Sequence, residues 1–179
     1  MSSDGPITDQ SLRDLQSGSN RAWTQFYDLL APELRAYIVR LGAKDPDDIL
    51  GETFANAYRD IPKFLGKPDE LRPWIFRIAH NRVIDAARRR KSRPTEVYLD
   101  PETDFVGSLS VGSDEVDLGR LSELLEQLTE DQREAVWLRY VAGFSLSETA
   151  TILDKSQDAT AAITFRAMTA LRKYLSTPS

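Results

Sequence analysis

The chain has 179 residues, 41% hydrophobic and 28% charged, with no cysteine, one histidine and a net charge of −5. That balance fits one ordinary domain or two small ones and excludes disorder along the whole chain. It also excludes disulfides and thiolate metal sites, and no apolar run approaches the roughly 18 to 20 residues that cross a bilayer. Met1 to Gln10 is polar and acidic, without the basic start or apolar stretch of a secretory signal, so a cytoplasmic location without membrane insertion is expected.

In chain order, apolar residues at Trp23, Phe26, Tyr27, Leu30, Leu34, Tyr37, Ile38 and Leu41 recur at helical spacing and predict a helix over Arg21 to Leu41. Pro32 interrupts the pattern, as a kink or as a break between two helices, and Gly42 suits a helix stop. The next helix has a marked start: Asp45 as cap, Pro46 in the first turn, and Asp47 and Asp48 complementing the helix dipole. It runs through Ile49, Phe54 and Tyr58 to about Asp60. Ile61 to Asp69, with Pro62, Gly66 and Pro68, reads as a loop. A long helix follows over about Glu70 to Lys91, with Leu71, Trp74, Ile75, Ile78 and Val83 on its apolar side.

The charge is unevenly spread. Residues 1–95 carry a net +3, residues 96–117 carry −7 and residues 118–179 carry −1. The middle segment, Glu96 to Asp117, has seven acids, no base, Pro101, Gly107, Gly112 and no helical period. It reads as a flexible acidic linker kept extended by self-repulsion. Beyond it, a helix is expected over Leu118 to Leu128. Thr129 and Gln132 then form a capping-box pattern ahead of Ala135, Val136, Leu138 and Tyr140, ending at Gly143. Ser145 and Glu148 form a second box opening a short helix through Ala150, Ile152 and Leu153. A tight turn at Asp154–Ser156 leads to a last helix from about Gln157 to Leu175. A short helix, a tight turn and a longer helix form the helix-turn-helix pattern. The expected fold is therefore all-α: two small helical domains, 1–95 and 118–179, joined by the linker 96–117.

The strongest local charge feature is Arg82 to Arg93, where Arg82, Arg88, Arg89, Arg90, Lys91 and Arg93 face one acid, Asp85. Arg77, Asn81, Asp85 and Arg88 stand four, four and three residues apart and so share one helix face. That face offers guanidinium groups to phosphates and an amide to base edges. The plainer alternative is a solvated helix end, but a helix dipole needs one or two cations rather than six. The loop Pro62–Pro73 offers Phe64 as a surface for an unstacked base. Trp23, Trp74 and Trp137 each sit in an apolar helical stripe and are expected in the core. Catalysis has little support. His80, the only histidine, lies beside Asn81 in a basic helix and reads as structural or phosphate-facing. No phosphate-cradling glycine loop or nucleophile elbow is present. The acids Asp45, Asp47, Asp48 and Glu52 lack the spacing of a calcium loop, so helix capping and a protein-binding face explain them. No cofactor, metal or enzymatic activity is expected.

At this point the motifs match a known family. Asp47-Asp48-Ile49-Leu50-Gly51-Glu52-Thr53-Phe54-Ala55-Asn56-Ala57-Tyr58 resembles the core-polymerase-binding helix of extracytoplasmic-function (ECF) sigma factors, and Ile61-Pro62-Lys63-Phe64 continues it. Pro73 to Asp85 with its basic tail is similar to that family's promoter-melting helix. Leu128 to Tyr140 followed by Gly143 to Ala150 is similar to its C-terminal domain. The resemblance covers about residues 10–95 and 119–175, with three motifs in the family's order and spacing.

The resemblance implies an alternative sigma factor that binds core RNA polymerase and promoter DNA. Asp48, Ile49, Glu52, Thr53, Phe54 and Ala57 would dock on the polymerase. The loop Lys63–Leu71, including Lys63 and Phe64, would open and hold the minus-ten element together with Trp74, Arg77, Asn81, Arg82, Asp85, Arg88 and Arg89. Ser145, Gln157, Ala161, Ala162, Phe165 and Arg166 would meet the minus-thirty-five element, and the linker would thread the polymerase channel, a path suited to a polyanion. Many relatives are held by an anti-sigma factor between their two domains, so such a partner is implied too.

The chain departs from the family pattern at two places. Gly51 stands where relatives often have Gln, and a mid-helix Gly costs roughly 1 kcal/mol against Ala. Ala159 to Thr164 carries no base where the recognition helix commonly has one, which forfeits about 1 to 3 kcal/mol of base discrimination. A weak or unusual minus-thirty-five preference is expected, with apolar contact to thymine methyls through Ala161 and Ala162. Two competing readings remain at the level of sequence. A stand-alone helix-turn-helix regulator would account for the C-terminal half alone. A degenerate sigma-like interaction protein would account for the bare recognition helix.

Overall fold

The computed structural model describes residues 7–91 and 127–175. The chain divides into two compact units, Met1–Thr103 and Asp104–Ser179. Among the described residues every regular element is helical, as expected for an all-α protein. The expected linker over 96–117 and most of the expected helix over 118–128 lie outside the described residues.

The first unit opens with α1 (Asp9–Gln16), capped by Thr8, whose hydroxyl accepts the Ser11 N–H at 3.2 Å. The sequence reading does not anticipate this helix. Its apolar stripe is two leucines, Leu12 and Leu15, too few to register as a period, and helices this short form only when packed. The Gln16 side chain donates to the Phe64 carbonyl at 3.0 Å and Trp23 Nε1 donates to the Leu15 carbonyl at 3.1 Å, which ties down the C-terminal end of α1.

The following α2 (Asn20–Arg40) is one continuous helix with Pro32 inside it. Pro32 and Asp28, whose carbonyl loses its partner, are both exposed, so the missing hydrogen bond falls on the solvent side and the helix carries on. Phe26, Leu30, Leu34, Tyr37 and Ile38 form its buried edge. Gly42 ends the segment at φ +74°, a left-handed conformation that a side chain would strain.

Pro46 starts α3 (Pro46–Asp60), and Asp45 occupies the cap position without making a capping bond, contrary to expectation. The neighbouring acid does different work. Asp47 accepts from Arg35 of α2 at 2.8 Å, and this hydrogen bond holds its carboxyl below the usual carboxylate range. Ile61–Lys63 and Pro68–Glu70 are single 3-10 turns inside the stretch read as loop. Then α4 (Leu71–Lys91) runs without interruption.

The core of this unit lies where α3 packs on α2 and α4, and α4 packs on α2. Phe26 meets Phe54 edge-on at 6.2 Å and Tyr37 lies 5.3 Å from Phe76. The buried Tyr37 hydroxyl and His80 Nδ1 share a hydrogen bond of 3.2 Å, so the histidine is a structural link between α2 and α4. An Arg72–Glu33 ion pair joins the same two helices.

In the second unit the Thr129–Gln132 capping box forms as expected and opens α5 (Glu130–Val136). The helix then widens into one π-helical turn over Trp137–Val141, where the Ala142 N–H reaches the Trp137 carbonyl at 2.9 Å. An extra residue in the turn advances the side chains that follow it, and Tyr140, expected in the apolar stripe, is 56% exposed. The Ser145–Glu148 box opens α6 (Leu146–Ile152). After a turn with Asp154 at φ +53°, α7 (Gln157–Leu175) completes the helix-turn-helix. Both α5 and α6 pack on α7.

Gly51 lies exposed in the middle of α3, and a Cβ built there meets nothing within 4 Å. Gly51→Ala is therefore expected to stabilise the first unit by about 0.5 to 1 kcal/mol, a rise of several degrees in its thermal midpoint. Unfolding followed by circular dichroism checks this; an unchanged or lower midpoint would mean that the open space around Gly51 is not there.

Candidate functional site

The charged face of α4 is a consequence of its buried edge. Leu71, Ile75, Phe76, Ala79 and Val83 are buried against α2 and α3. With their positions fixed, Arg77, Asn81, Asp85 and Arg88 must point the other way, and all four are exposed. Arg88 Nη1 lies 3.8 Å from Asp85 and the Arg89 side chain donates to the Asp85 carbonyl at 3.4 Å. Arg82 is half-buried and flanks this face.

The loop before α4 gathers next to it. Phe64 and Trp74 lie 5.0 Å apart with tilted rings, both half-buried. One side of Phe64 is therefore already covered by Trp74, and its rim closes over Gly66, where a Cβ would collide with the ring. Lys63 is exposed in the first 3-10 turn. Leu65, not singled out by its sequence context, is 99% exposed at the tip. An apolar residue at a Pro- and Gly-bounded tip is the sequence signal that marks it.

On α3 the six residues grouped by motif separate into two sets. Asp48 and Glu52 are exposed, but Ile49, Thr53, Phe54 and Ala57 are buried, with Thr53 Oγ1 donating to the Ile49 carbonyl at 2.7 Å. Four of the six therefore build the core and set the angle at which the other two are presented. The outward row is Asp48, Glu52, Ala55 and Arg59, with Gly51 beside it.

A groove of about 350 Å³ runs between the N-terminal half of α3 and the far end of α4, lined among others by Lys44, Asp45, Asp48, Glu52, Arg89 and Arg90. It brings acids of one motif against bases of the other, although the sequence treats the two as separate. Among the described residues no group of three or more His, Asp or Glu is placed to hold a metal ion. No described helix is long and apolar enough to cross a membrane.

In the second unit the buried edge of α7 is Thr160, Ile163, Thr164 and Ala167. Its outward side carries Asp158, Ala162, Phe165, Arg166 and Thr169, all exposed, with Ala161 half-buried at the margin. Gln157 donates to Ser147 Oγ at 3.2 Å across the turn. The Ser145 hydroxyl accepts the Glu148 N–H at 3.1 Å, which leaves its own hydrogen available to an acceptor outside the protein.

Comparison with known proteins adds the family. Residues 26–93 match the model of Sigma-70 region 2 and residues 118–171 that of Sigma-70 region 4. The chain is 29% identical to the ECF RNA polymerase sigma factor BldN of Streptomyces coelicolor, over 89% of this chain and 62% of BldN, so it spans less than two thirds of that relative. It is 31% identical to the probable RNA polymerase sigma-C factor of Mycobacterium bovis, over 75% of this chain and 73% of that protein. Among solved structures it is similar to the sigma factor RpoE in complex with the anti-sigma factor NepR from Bartonella quintana. There the TM-score is 0.63 and the identity 26%, over 87% of this chain and 98% of RpoE. The chain belongs to the sigma-70 family, in its ECF group. Sigma factors are transcription initiation factors.

The division of α3 is open to a direct check. Phe54→Ala is expected to destabilise the first unit by about 3 to 5 kcal/mol, as emptying a packed aromatic site does. Glu52→Ala is expected to stay within roughly 0.5 kcal/mol of the parent. Urea unfolding separates the two, and equal effects would place Phe54 outside the core.

Proposed function

We propose that this chain is an alternative sigma factor that binds core RNA polymerase, recognises a promoter and opens it, working in the cytoplasm and performing no catalysis of its own. The observation that carries the reading is the exposed Arg77–Asn81–Asp85–Arg88 row on a helix whose opposite edge is core, in a chain of this family. Cations paired with an amide on a rigid helix suit a DNA strand, since phosphates are met by charge and a base edge by hydrogen bonding. Phe64 and Trp74 stand next to that row and offer an aromatic edge to an unstacked base, with Lys63, Arg82 and Arg89 supplying further positive charge.

Polymerase docking falls to the outward face of α3. Asp48 and Glu52 are its charged contacts, and the buried Ile49, Thr53, Phe54 and Ala57 position them. The groove lined by Asp48, Glu52, Arg89 and Arg90 supports a reading in which docking and strand capture take place side by side on one unit. The outward face of α7, with Ser145 and Gln157, reads the minus-thirty-five element; Gln157, Ala161, Ala162, Phe165 and Arg166 are the side chains that meet the groove. An anti-sigma factor, as in the RpoE complex, is the expected protein antagonist.

The reading predicts two separable defects. Asp48→Lys with Glu52→Lys lowers affinity for core polymerase by about ten-fold or more while the thermal midpoint falls by only a few degrees, because both side chains are exposed and the loss is confined to the helix-dipole contact of Asp48. Arg77→Ala with Arg88→Ala leaves polymerase binding intact and flattens the salt dependence of promoter binding by about 0.7 to 0.9 in log–log slope per arginine. Fluorescence binding to core polymerase and filter binding of the holoenzyme across a salt series measure these. Parent-like polymerase affinity in the first variant, or a parent-like slope in the second, contradicts the assignments.

A further inference from the structure

The outward face of α7 has an unusual chemistry for a helix that enters a major groove. Asp158, Ala162, Phe165 and Thr169 are spaced four, three and four residues apart, directly opposite the buried Thr160, Ile163, Thr164 and Ala167. Over the N-terminal half of α7, the part that reaches base edges in helix-turn-helix docking, the described side chains on this line are a carboxylate, a methyl and a phenyl ring. None of them donates a hydrogen bond. Phe165 is 70% exposed, although a phenyl ring is normally turned inward on a helix with an available core. Arg166 is displaced about a quarter turn from this line.

Guanine shows the major groove only acceptors, N7 and O6, and the line Asp158–Ala162–Phe165 has nothing to give them. A carboxylate at Asp158 repels them and accepts only from the exocyclic amines of cytosine or adenine. The one base-edge group that a methyl and a phenyl ring can recognise is the 5-methyl of thymine.

Resting on the sigma-factor reading, we infer that α7 reads the upstream promoter element by thymine methyl groups packed against Phe165 and Ala162, with Asp158 selecting against guanine at the adjoining step. Phe165 is the residue that determines specificity. The chemistry recognised is a methyl-bearing pyrimidine edge, so uracil, which pairs and stacks like thymine but lacks the methyl, is not equivalent to it.

The test uses holoenzyme assembled from core polymerase and the full chain on a promoter fragment that it opens. Thymines of the minus-thirty-five segment are replaced by uracil one at a time, and initiation is compared with the parent fragment. One or two positions are expected to lose about three- to five-fold, the effect of withdrawing one buried carbon. With Phe165→Ala that ratio falls toward one, while the thermal midpoint of the chain stays where it was because the ring is exposed. Uracil equal to thymine at every position overturns the inference, and so does a thymine-to-uracil ratio unchanged by Phe165→Ala. In both cases the fragment is still opened, so the sigma-factor reading stands. Failure to open any thymine-containing fragment would instead remove that reading, and this inference with it.

Discussion

The two-faced construction of α4 is the constraint from which the rest of the first unit follows. Its buried residues Leu71, Ile75, Phe76, Ala79 and Val83 are held by α2 and α3, and a helix is rigid enough that fixing one edge fixes the other. The hydrogen bond between Tyr37 and His80 and the Arg72–Glu33 ion pair add direction to that apolar contact. Hydrophobic burial alone allows α4 to slide or rotate by a fraction of a turn; polar partners at set distances penalise it, because a buried group left unpaired costs about 1 to 3 kcal/mol. The exposed basic row is thus presented at a defined angle without contributing anything to the core itself.

The same logic applies to α3 and α7. In α3 the four residues Ile49, Thr53, Phe54 and Ala57 anchor the helix, and Asp48 and Glu52 are what the anchoring displays. In α7 the anchors are Thr160, Ile163, Thr164 and Ala167, and the displayed line Asp158, Ala162, Phe165 and Thr169 carries one carboxylate and no cation. A net charge of −5 ceases to be at odds with DNA binding once the charge is mapped. The cations concentrate on one helix end, and under the proposed function a polymerase that already holds DNA would supply much of the non-specific attraction.

Most of the helical architecture was legible because long amphipathic segments and capping boxes speak locally. The boxes at Thr129–Gln132 and Ser145–Glu148 form with both hydrogen bonds in place, and Gly42 ends its helix in the left-handed conformation. What escaped were features decided by tertiary contact. Helix α1 exists because Gln16 and Trp23 bind its end, a fact no local period carries. Asp45 sits at its cap without capping, while Asp47 pairs with Arg35 of α2, a contact that no local pattern carries. Tyr140 faces out because a π turn shifts the register by one residue, and two apolar residues more or less do not announce such a turn. Within the candidate site, the charged residues were legible as a face and the apolar ones as a motif. The motif could not distinguish residues that touch a partner from those that hold the helix in place, since both recur at the same spacing. Burial shows which of them hold the helix in place.

The central claim is that this chain confers promoter recognition on a polymerase that otherwise lacks it. It is tested most directly by transcription of a fragmented genomic library with bacterial core polymerase, with and without this protein. The account predicts new transcripts only in its presence, beginning at a fixed distance from a shared upstream sequence. If polymerase carrying the bound protein starts at no new position, the chain is an interaction protein of the same fold and the account is wrong.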